Sequence, residues 1–337
     1  MGFLTGKTAI ITGAGRAVLS DGSCGSIGYG IATAFAKEGA NLVITGRNVK
    51  KLEEAKNELE AKYGIRVLPV QADVCAGTDN EATVQNVVNQ AVDTFGGIQV
   101  LVNNAQASAS GVPLAEHTTE QFDLALYSGL YAAFYYMKAC YPYLAKSKGS
   151  VINFASGAGL FGNFGQCSYA AAKEGIRGLS RVAATEWGKD GINVNVICPL
   201  AWTAKLEQFQ QAYPDAFKAN VKMPPMGHYA NPETEIGRVC VQLAMPDFKY
   251  LSGETLTLEG GMGLRPSLLF SFFLTHAKGA VPVAQPLLCL GLIIRARRCT
   301  RSPALRPWGW RPPARSCGQG TAQQRPWHTR HSQRQNR

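Results

Sequence analysis

Three side chains, Ser156, Tyr169 and Lys173, have the types and the spacing of an acid–base site. Tyr169 and Lys173 are four positions apart, so on a helix they share one face, about one turn from each other. The pKa of a free tyrosine is about 10, and a neighbouring ammonium group lowers it by favouring the phenolate. Ser156, thirteen positions before Tyr169, would hydrogen-bond the reacting oxygen and fix its position. Together they could move a proton to or from the oxygen of an alcohol or ketone.

A glycine-rich turn near the N-terminus could hold the pyrophosphate of a dinucleotide. The strand-like segment that ends at Thr12 leads into Gly13 and Gly15, and a helix is predicted to begin around Ser26. Glycines at such a turn let backbone amides approach a pyrophosphate at the positive end of the helix. Plain tight turns use the same residues, so it is the flanking strand and helix that favour a nucleotide site.

Short apolar runs alternate with helical patterns along the first 266 residues. The runs predict strands at 8–12, 41–45, 67–71, 100–103, 150–154, 193–197 and 255–258. Helical periodicity lies between them, as in 51–63 and 84–95. This alternation predicts an α/β fold of the Rossmann type, a single domain built on a doubly wound parallel sheet.

The stretch 199–231, which follows the predicted sixth strand, breaks the alternation and contains several prolines. In such a fold, a long insertion at this place is a candidate substrate lid. Apolar and aromatic residues are frequent in and near it, which fits a large apolar alcohol or ketone. We expect Phe161, Phe164 and Trp202 to contact the substrate. For each of them taken alone, the alternative is packing within the loop or between subunits.

The net charge of +11 comes from one end of the chain. Residues 267–337 contain eleven Arg, one Lys and no acidic residue, whereas residues 1–266 carry 22 basic and 23 acidic side chains. The net charge therefore gives no reason to assign nucleic-acid binding to the whole chain. We predict a catalytic domain at 1–266 and a basic tail, rich in Pro and Arg, at 267–337. The tail could be an arm for nucleic acid or a membrane surface, but the lack of any helical or strand period favours a disordered or spurious segment.

The nine cysteines are scattered, with no C-x-x-C pair and no histidine at zinc-ligand spacing. Unpaired thiols of this kind fit a reducing compartment. The first seven residues lack the basic region and cleavage site of a signal peptide, and the apolar runs of the tail are too short to cross a bilayer. We expect a cytoplasmic protein with no metal, no nucleic-acid partner and no membrane partner.

These motifs resemble those of the short-chain dehydrogenase/reductase family, whose nucleotide fingerprint is T-G-x-x-x-G-I-G. In this chain nine extra residues, 17–25, interrupt the fingerprint. The resemblance implies that Ser156, Tyr169 and Lys173 are catalytic, with Lys173 also holding the nicotinamide ribose. It implies cofactor contacts by Gly13, Gly15, Arg16, Ser26, Ile27, Gly28, Asp73, Val74, Asn104, Ala105, Tyr169, Lys173, Pro199 and Thr203. By the same resemblance, the long helix near 119–145 and the helix that carries Tyr169 would pair with a neighbouring copy, giving a homo-oligomer, either a dimer or a tetramer.

Three positions depart from the family pattern. Gln106 stands where the family motif N-N-A-G ends in glycine. Gly129 stands where the family usually has an Asn that hydrogen-bonds a backbone carbonyl and holds a water of the proton relay. Either a water or the neighbouring Ser128 takes that role, or the relay differs. After its sixth strand the family has the motif P-G-x-x-x-T, whose Thr contacts the carboxamide of the cofactor. In this chain Thr203 falls one position before the place of that Thr, so its contact with the cofactor is the weakest of these expectations.

The residue after the second strand bears on the choice of cofactor. An acidic residue there would bind the ribose 2′-hydroxyl of NAD(H), whereas arginine attracts the 2′-phosphate of NADP(H) through charge-assisted hydrogen bonds. This chain has neutral Gly46 followed by Arg47. The pattern favours NADP(H) and leaves NAD(H) possible, because Arg47 could instead stack on adenine or face solvent.

The interrupted loop and Gly129 make the chain similar to hydroxysteroid dehydrogenases of gut anaerobic bacteria, above all the type that acts on the 12α-hydroxyl of bile acids. We therefore expect a reversible oxidoreductase that transfers hydride between NADP(H) and a steroid alcohol or ketone. One alternative is a 3-oxoacyl carrier-protein reductase. Another is a catalytically weak nucleotide-sensing protein, although a sensor would not need Ser156, Tyr169 and Lys173.

Overall fold

The computed structural model of the protein describes residues 2–75 and 80–263. A sheet of seven parallel strands lies at its centre. The strands are Thr8–Thr12 (β1), Asn41–Gly46 (β2), Val67–Gln71 (β3), Val100–Asn103 (β4), Ser150–Phe154 (β5), Asn193–Pro199 (β6) and Thr255–Leu258 (β7).

Helices separate the strands along the described part of the chain. They are Ile27–Lys37 (α1), Val49–Tyr63 (α2), Asn80–Phe95 (α3), Thr119–Ala125 (α4), Ala132–Ser147 (α5), Gly157–Phe161 (α6), Cys167–Trp187 (α7), Ala204–Ala212 (α8), Pro214–Asn220 (α9) and Arg238–Leu243 (α10). Two segments are π-helical: Leu126–Tyr131, which joins α4 to α5, and Pro232–Gly237, which precedes α10.

The strand order β3-β2-β1-β4-β5-β6-β7 places the switch in winding direction between β1 and β4. The chain builds outward from β1 through β2 to β3 and then returns to place β4 on the other side of β1. At such a switch the loops that follow the two strands diverge, and they leave a crevice at the carboxyl ends of the strands. The predicted nucleotide and proton-transfer residues lie at this edge.

Both faces of the sheet are covered, which explains why the strands are almost continuously apolar. Ile10 and its neighbour Val43 are fully buried and pack on the face covered by α3 and α5. Ile11 and Ile44, one position further along the same strands, are also fully buried and pack on the face covered by α1 and α10. Successive side chains thus supply two separate cores.

The predicted fold class is confirmed, and each predicted strand is present. Strands β2 and β6 continue beyond their predicted ends, because Gly46 pairs with Gln71 and Pro199 pairs with Leu258 of the edge strand β7. The stretch after β6 contains the two helices α8 and α9. The predicted basic tail, 267–337, lies outside the described residues. Within the described residues, no helix combines the length and the apolar character needed to cross a membrane.

Two helical glycines differ in the space around them, and this difference predicts opposite effects of adding a methyl group. A Cβ at Gly30 of α1 would overlap the carbonyl of Pro232, whereas a Cβ at Gly178 of α7 would meet nothing within 4 Å. We expect Gly30→Ala to lower the free energy of unfolding by about 1–3 kcal/mol. Gly178→Ala, the matched control, should raise it by about 0.5–1 kcal/mol, because alanine favours helix. Urea denaturation measures both changes, and equal effects would contradict the packing of α1 on Pro232–Gly237.

Candidate active site

The hydroxyl of Thr12 joins the ends of β1 and β4. The backbone amides of Asn104 and Ala105 both donate to Thr12 Oγ1, each at 2.9 Å. The side-chain amide of Asn104 donates to the Thr12 carbonyl at 2.8 Å. Both predicted cofactor residues of the N-N-A motif are therefore held at the switch point, beside the glycine turn.

The glycine turn brings the start of α1 against the end of β1. Gly13 has a φ of +71°, a left-handed conformation that favours glycine. A Cβ at Gly28 would overlap the carbonyl of Gly13 and lie 2.7 Å from Asn104 Nδ2. Ser26 caps α1 by accepting a hydrogen bond from the Tyr29 amide at 3.3 Å. Bare backbone and a helix N-terminus thus face the crevice, an arrangement that fits the pyrophosphate of a dinucleotide.

The nine inserted residues form a small hairpin, a path that the sequence could not predict. Leu19 donates its amide to the Ser23 carbonyl at 2.9 Å, and Gly25 donates to Ala17 at 2.8 Å. The hairpin contacts α8, since Ser20 Oγ donates to Glu207 Oε1 at 2.6 Å. It therefore reaches from the glycine turn to the stretch that follows β6.

Arg16, a predicted cofactor contact, directs its guanidinium toward α2. Arg16 Nε lies 2.5 Å from Glu58 Oε2, and Lys62 Nζ lies 2.6 Å from the other oxygen of Glu58. Burial alone would raise the pKa of Glu58, but the hydrogen bonds from Lys62 and Arg16 lower it to about 2. Gly15, the residue before Arg16, packs against Lys51: a Cβ added to Gly15 would lie 3.2 Å from Lys51 Cβ.

The residues predicted to bind the adenosine part lie at the ends of β2 and β3. Arg47 has an exposed side chain, and its carbonyl accepts a hydrogen bond from Gln71 Nε2 at 3.0 Å. Asp73 is exposed and accepts the Cys75 amide at 2.9 Å. Val74 is buried. Both side chains are therefore exposed at the carboxyl ends of these strands.

Ser156, Tyr169 and Lys173 come together after β5. Ser156 Oγ caps α6 by accepting the Ala158 amide at 3.1 Å, and Ser156 lines the same cavity as Tyr169. Lys173 is 3 % exposed, and its Nζ donates to the Phe154 carbonyl at 2.7 Å. The same Nζ lies 5.4 Å from the centre of the Tyr169 ring. The structure thus brings together the three residues that the sequence singled out for proton transfer.

Burial changes the pKa values of Lys173 and Tyr169 in this trio. It lowers the pKa of Lys173 to about 7, because a charged ammonium is costly away from water. Burial also raises the pKa of Tyr169, and the hydrogen bond with Ser156 acts in the opposite direction. The sequence predicted a lowered tyrosine pKa. The direction found here is the reverse, because desolvation of the phenolate outweighs the opposite effect of Ser156.

A cavity of about 370 Å³ opens beside the Tyr169 hydroxyl. It is mostly polar and is lined by Ser108, Ser110, Ser156, Ala158, Asn163, Gln166 and Tyr169. Its two loops are fixed to each other, since the Gly111 amide donates to the Gly165 carbonyl at 2.9 Å. Sequence reasoning missed its loop residues, because isolated polar side chains in loops carry no periodic signal.

The three predicted substrate residues lie on separate elements and are not among the residues that line this cavity. Phe161 and Phe164, at and just beyond the end of α6, are 44 % and 84 % exposed. Trp202 precedes α8 and packs edge-on against Phe217 and Tyr229.

The predicted nicotinamide contacts of the loop after β6 lie beside these rings. Pro199 is the last residue of β6, and Thr203 caps α8 by accepting the Leu206 amide at 3.4 Å. The early position of Thr203 noted in the sequence thus coincides with the start of a helix. Among the described residues, no group of three or more side chains could hold a metal ion.

Comparison with known proteins gives consistent relatives. The profile of the family described as Enoyl-(Acyl carrier protein) reductase matches residues 22–263. A 12alpha-hydroxysteroid dehydrogenase of a Clostridium species is 66 % identical over 266 residues, which is 79 % of this chain and 100 % of the relative. A 3-oxoacyl-[acyl-carrier-protein] reductase of Staphylococcus epidermidis is 30 % identical over 259 residues, covering 76 % of this chain and 98 % of the relative.

Solved structures agree with this assignment. A protein from Burkholderia xenovorans, assigned as a short-chain dehydrogenase/reductase, superposes with a TM-score of 0.68 at 28 % identity, covering 79 % of this chain and 100 % of its own. A protein from Sinorhizobium meliloti, assigned as a short-chain alcohol dehydrogenase, superposes with a TM-score of 0.67 at 29 % identity, covering 76 % of this chain and 96 % of its own.

Burial of Lys173 predicts a pH-dependent contribution to stability. Its pKa is about 7 in the folded protein and 10.5 in the reference state, so between these values the unfolded chain binds more protons. The free energy of unfolding therefore rises with pH across this window, by at most about 1.4 kcal/mol per unit. We expect the stability of the wild type relative to Lys173→Met to increase from pH 7 to pH 9. Urea denaturation of the cofactor-free proteins at each pH measures the difference in their free energies of unfolding. A difference that does not change with pH would contradict the burial effect.

Proposed function

Given that the chain belongs to the short-chain dehydrogenase/reductase family of nicotinamide-dependent oxidoreductases, we propose that its substrate is a steroid alcohol or ketone and its cofactor is NADP(H). The reaction is reversible hydride transfer, and the expected position on the substrate is the 12α-hydroxyl of bile acids. The observation that carries the proposal is the joint position of Ser156, Tyr169 and Lys173 beside the polar cavity. Identity of 66 % to a 12alpha-hydroxysteroid dehydrogenase supports the steroid assignment.

The residues of the crevice suit the cofactor in three places. Gly13, Gly28 and the capped start of α1 would hold the pyrophosphate, and Arg47 would pair with the 2′-phosphate. Lys173 would hydrogen-bond the nicotinamide ribose. When bound, the nicotinamide ring supplies the hydride acceptor for an alcohol or the hydride donor for a ketone.

Proton transfer would be carried by the trio. Ser156, which lines the cavity together with Tyr169, would hold the substrate oxygen through its hydroxyl. The Tyr169 oxygen takes the proton of the alcohol in oxidation and returns it to the ketone oxygen in reduction. Lys173 supplies positive charge, and the Phe154 carbonyl fixes its Nζ. The exposed rings of Phe161 and Phe164, together with the partly buried ring of Trp202, would cover an apolar ring system.

A 3-oxoacyl carrier-protein reductase is the second candidate, favoured by relatives such as the one from Staphylococcus epidermidis. The Staphylococcus epidermidis relative is 30 % identical to this chain, which is less than half of the identity between this chain and the 12alpha-hydroxysteroid dehydrogenase. A nucleotide sensor without catalysis is disfavoured, because the complete proton-transfer trio would serve no purpose in it.

We further propose a cytoplasmic homo-oligomer, a dimer or tetramer, whose catalytic domain spans 1–266. The six cysteines in the described part of the chain are all unpaired, as in a reducing compartment. Tyr131 and Phe134, at and near the start of α5, expose large aromatic surfaces that a second copy could cover. A relative matched over its full length spans 266 residues of this chain, which supports the domain boundary.

The substrate assignment is tested by following the near-ultraviolet absorbance of reduced nicotinamide. The wild type should oxidise 12α-hydroxylated bile acids in preference to steroids hydroxylated at carbon 3, 7 or 17, and it should be slower on acetoacetyl thioesters. Tyr169→Phe should lower kcat by about 10²–10⁴-fold while cofactor binding is kept, because only the proton donor is lost. Tyr250→Phe, at a fully exposed tyrosine, is the control. Turnover of thioesters but of no steroid would select the second candidate.

The cofactor assignment is tested by reversing the charge at Arg47. Arg47→Asp should shift the ratio of kcat/KM for NADP over NAD toward NAD by about tenfold or more, because a carboxylate repels a 2′-phosphate and accepts from a 2′-hydroxyl. Lys50→Asp makes the same change in charge at an exposed position nearby and should leave the ratio unchanged. Equal shifts in both variants would point to the overall field and overturn the assignment to Arg47.

A further inference from the structure

His117 lies just before the N-cap of α4, at a position where an apolar side chain can pack on the first turn of the helix. Thr118 caps α4: its Oγ1 accepts the Gln121 amide at 3.2 Å, and Gln121 Oε1 accepts the Thr118 amide at 3.1 Å. In such a capping box the residue before the cap often contacts the residue five positions further on. Here His117 meets Phe122 edge-on, with ring centres 6.5 Å apart. This contact needs only an apolar ring, so it does not account for a histidine.

A nitrogen of the His117 ring is hydrogen-bonded to the helix that carries Tyr169. His117 Nε2 lies 2.8 Å from Ser168 Oγ. Ser168 is fully buried in the first turn of α7, and Tyr169 follows it directly. The other ring nitrogen, Nδ1, is buried and has no hydrogen-bond partner among residues 2–75 and 80–263. The polar attachment of the ring therefore rests on the bond between Nε2 and Ser168.

Two backbone contacts join the same two segments of the chain. The Gly111 amide donates to the Gly165 carbonyl at 2.9 Å, and Val112 pairs with Gln166 in an isolated parallel bridge. A Cβ at Gly165 would lie 2.9 Å from the Cα of Gly111, so the two backbones touch where they cross. The bond between the histidine and the serine is the third contact of this set. It is also the contact nearest along the chain to the catalytic tyrosine.

Both of the joined segments contribute to the wall of the cavity beside the Tyr169 hydroxyl. Ser108 and Ser110 line it from the loop that leads to the histidine, and Asn163, Gln166 and Tyr169 line it from the other segment. A shift of the first turn of α7 relative to this loop would therefore move the tyrosine within the cavity. Misplacement of a reacting group by about 1 Å can lower a rate by about 10²-fold.

We propose that His117 is a positioning residue for Tyr169. Its ring packs on Phe122 and so belongs to the start of α4, while its Nε2 holds Ser168 in the first turn of α7. The bond keeps the Tyr169 hydroxyl in a fixed place relative to the loop that lines the cavity. His117 itself neither touches the substrate nor transfers a proton. The proposal rests on the proposed oxidoreductase function, in which Tyr169 exchanges a proton with the substrate oxygen.

The first test separates the ring of His117 from its nitrogen. His117→Phe keeps a ring against Phe122 and loses the bond to Ser168, so it should lower kcat by about tenfold or more while the Kd of the cofactor stays the same. His117→Gln loses the ring but keeps a polar group that can reach Ser168, and it should recover kcat to within about threefold of the wild type.

A control variant accounts for loss of stability alone. Ser147→Ala removes a hydroxyl that donates to the Ile98 carbonyl at 3.0 Å, at the edge of the sheet opposite to the site. It should lower the free energy of unfolding by about 1 kcal/mol and leave kcat unchanged. A His117→Phe variant as fast as the wild type, or a His117→Gln variant no faster than His117→Phe, would overturn the proposal.

The second test removes the bond from its other end. Ser168→Ala should lower kcat by the same factor as His117→Phe, and the double variant should be no slower than either single variant, because all three lack one and the same bond. Hydrogen exchange followed by mass spectrometry should show faster exchange of the amides of residues 166–170 in both single variants, with those of β2 unchanged. Losses in kcat that multiply in the double variant, or exchange at the rate of the wild type, would overturn the proposal.

The outcomes distinguish this proposal from the proposed function. Any alcohol or ketone that the wild type turns over can be used to measure kcat, so the test does not depend on the steroid assignment. A wild type that turns over no alcohol or ketone would refute the proposed function. An active wild type whose His117→Phe variant is equally active would refute the positioning role alone.

Discussion

The hydroxyl of Thr12 is the contact on which the rest of the site depends. It accepts two backbone amides from the chain that leaves β4, and so holds together the two strands at which the sheet reverses its winding. The glycine turn on one side and the loop with Gln106 on the other both start from this contact. Because parallel strands end at one edge, fixing these two ends also fixes the distance between the nucleotide half and the chemical half of the crevice.

Burial of Lys173 is the main electrostatic cost at this edge. A lysine that is 3 % exposed would normally be excluded from a core, and its pKa falls to about 7 as a result. The carbonyl of Phe154 partly offsets this cost by accepting a hydrogen bond. Functional sites commonly retain such unfavourable groups, which agrees with the catalytic role proposed for Lys173.

The inserted hairpin shows how the fold accommodates nine extra residues in a phosphate-binding turn. The hairpin closes on itself through Leu19–Ser23 and Ala17–Gly25 bonds, so the chain re-enters α1 at Ser26 with the approach of Gly28 to Gly13 preserved. Its tip reaches Glu207 of α8. The inserted hairpin and the stretch that follows β6 are thereby in direct contact.

The sequence alone determined the parallel sheet, and it singled out Ser156, Tyr169 and Lys173 as the candidate proton-transfer residues. These features follow from local periodicity and from spacing along one helix or one strand. Only the tertiary structure decided the path of residues 17–25, the pairing of Arg16 with Glu58 and the direction of the Tyr169 pKa. Each of these depends on groups far apart in the chain that approach within a few ångströms, and spacing along the sequence does not record such distances.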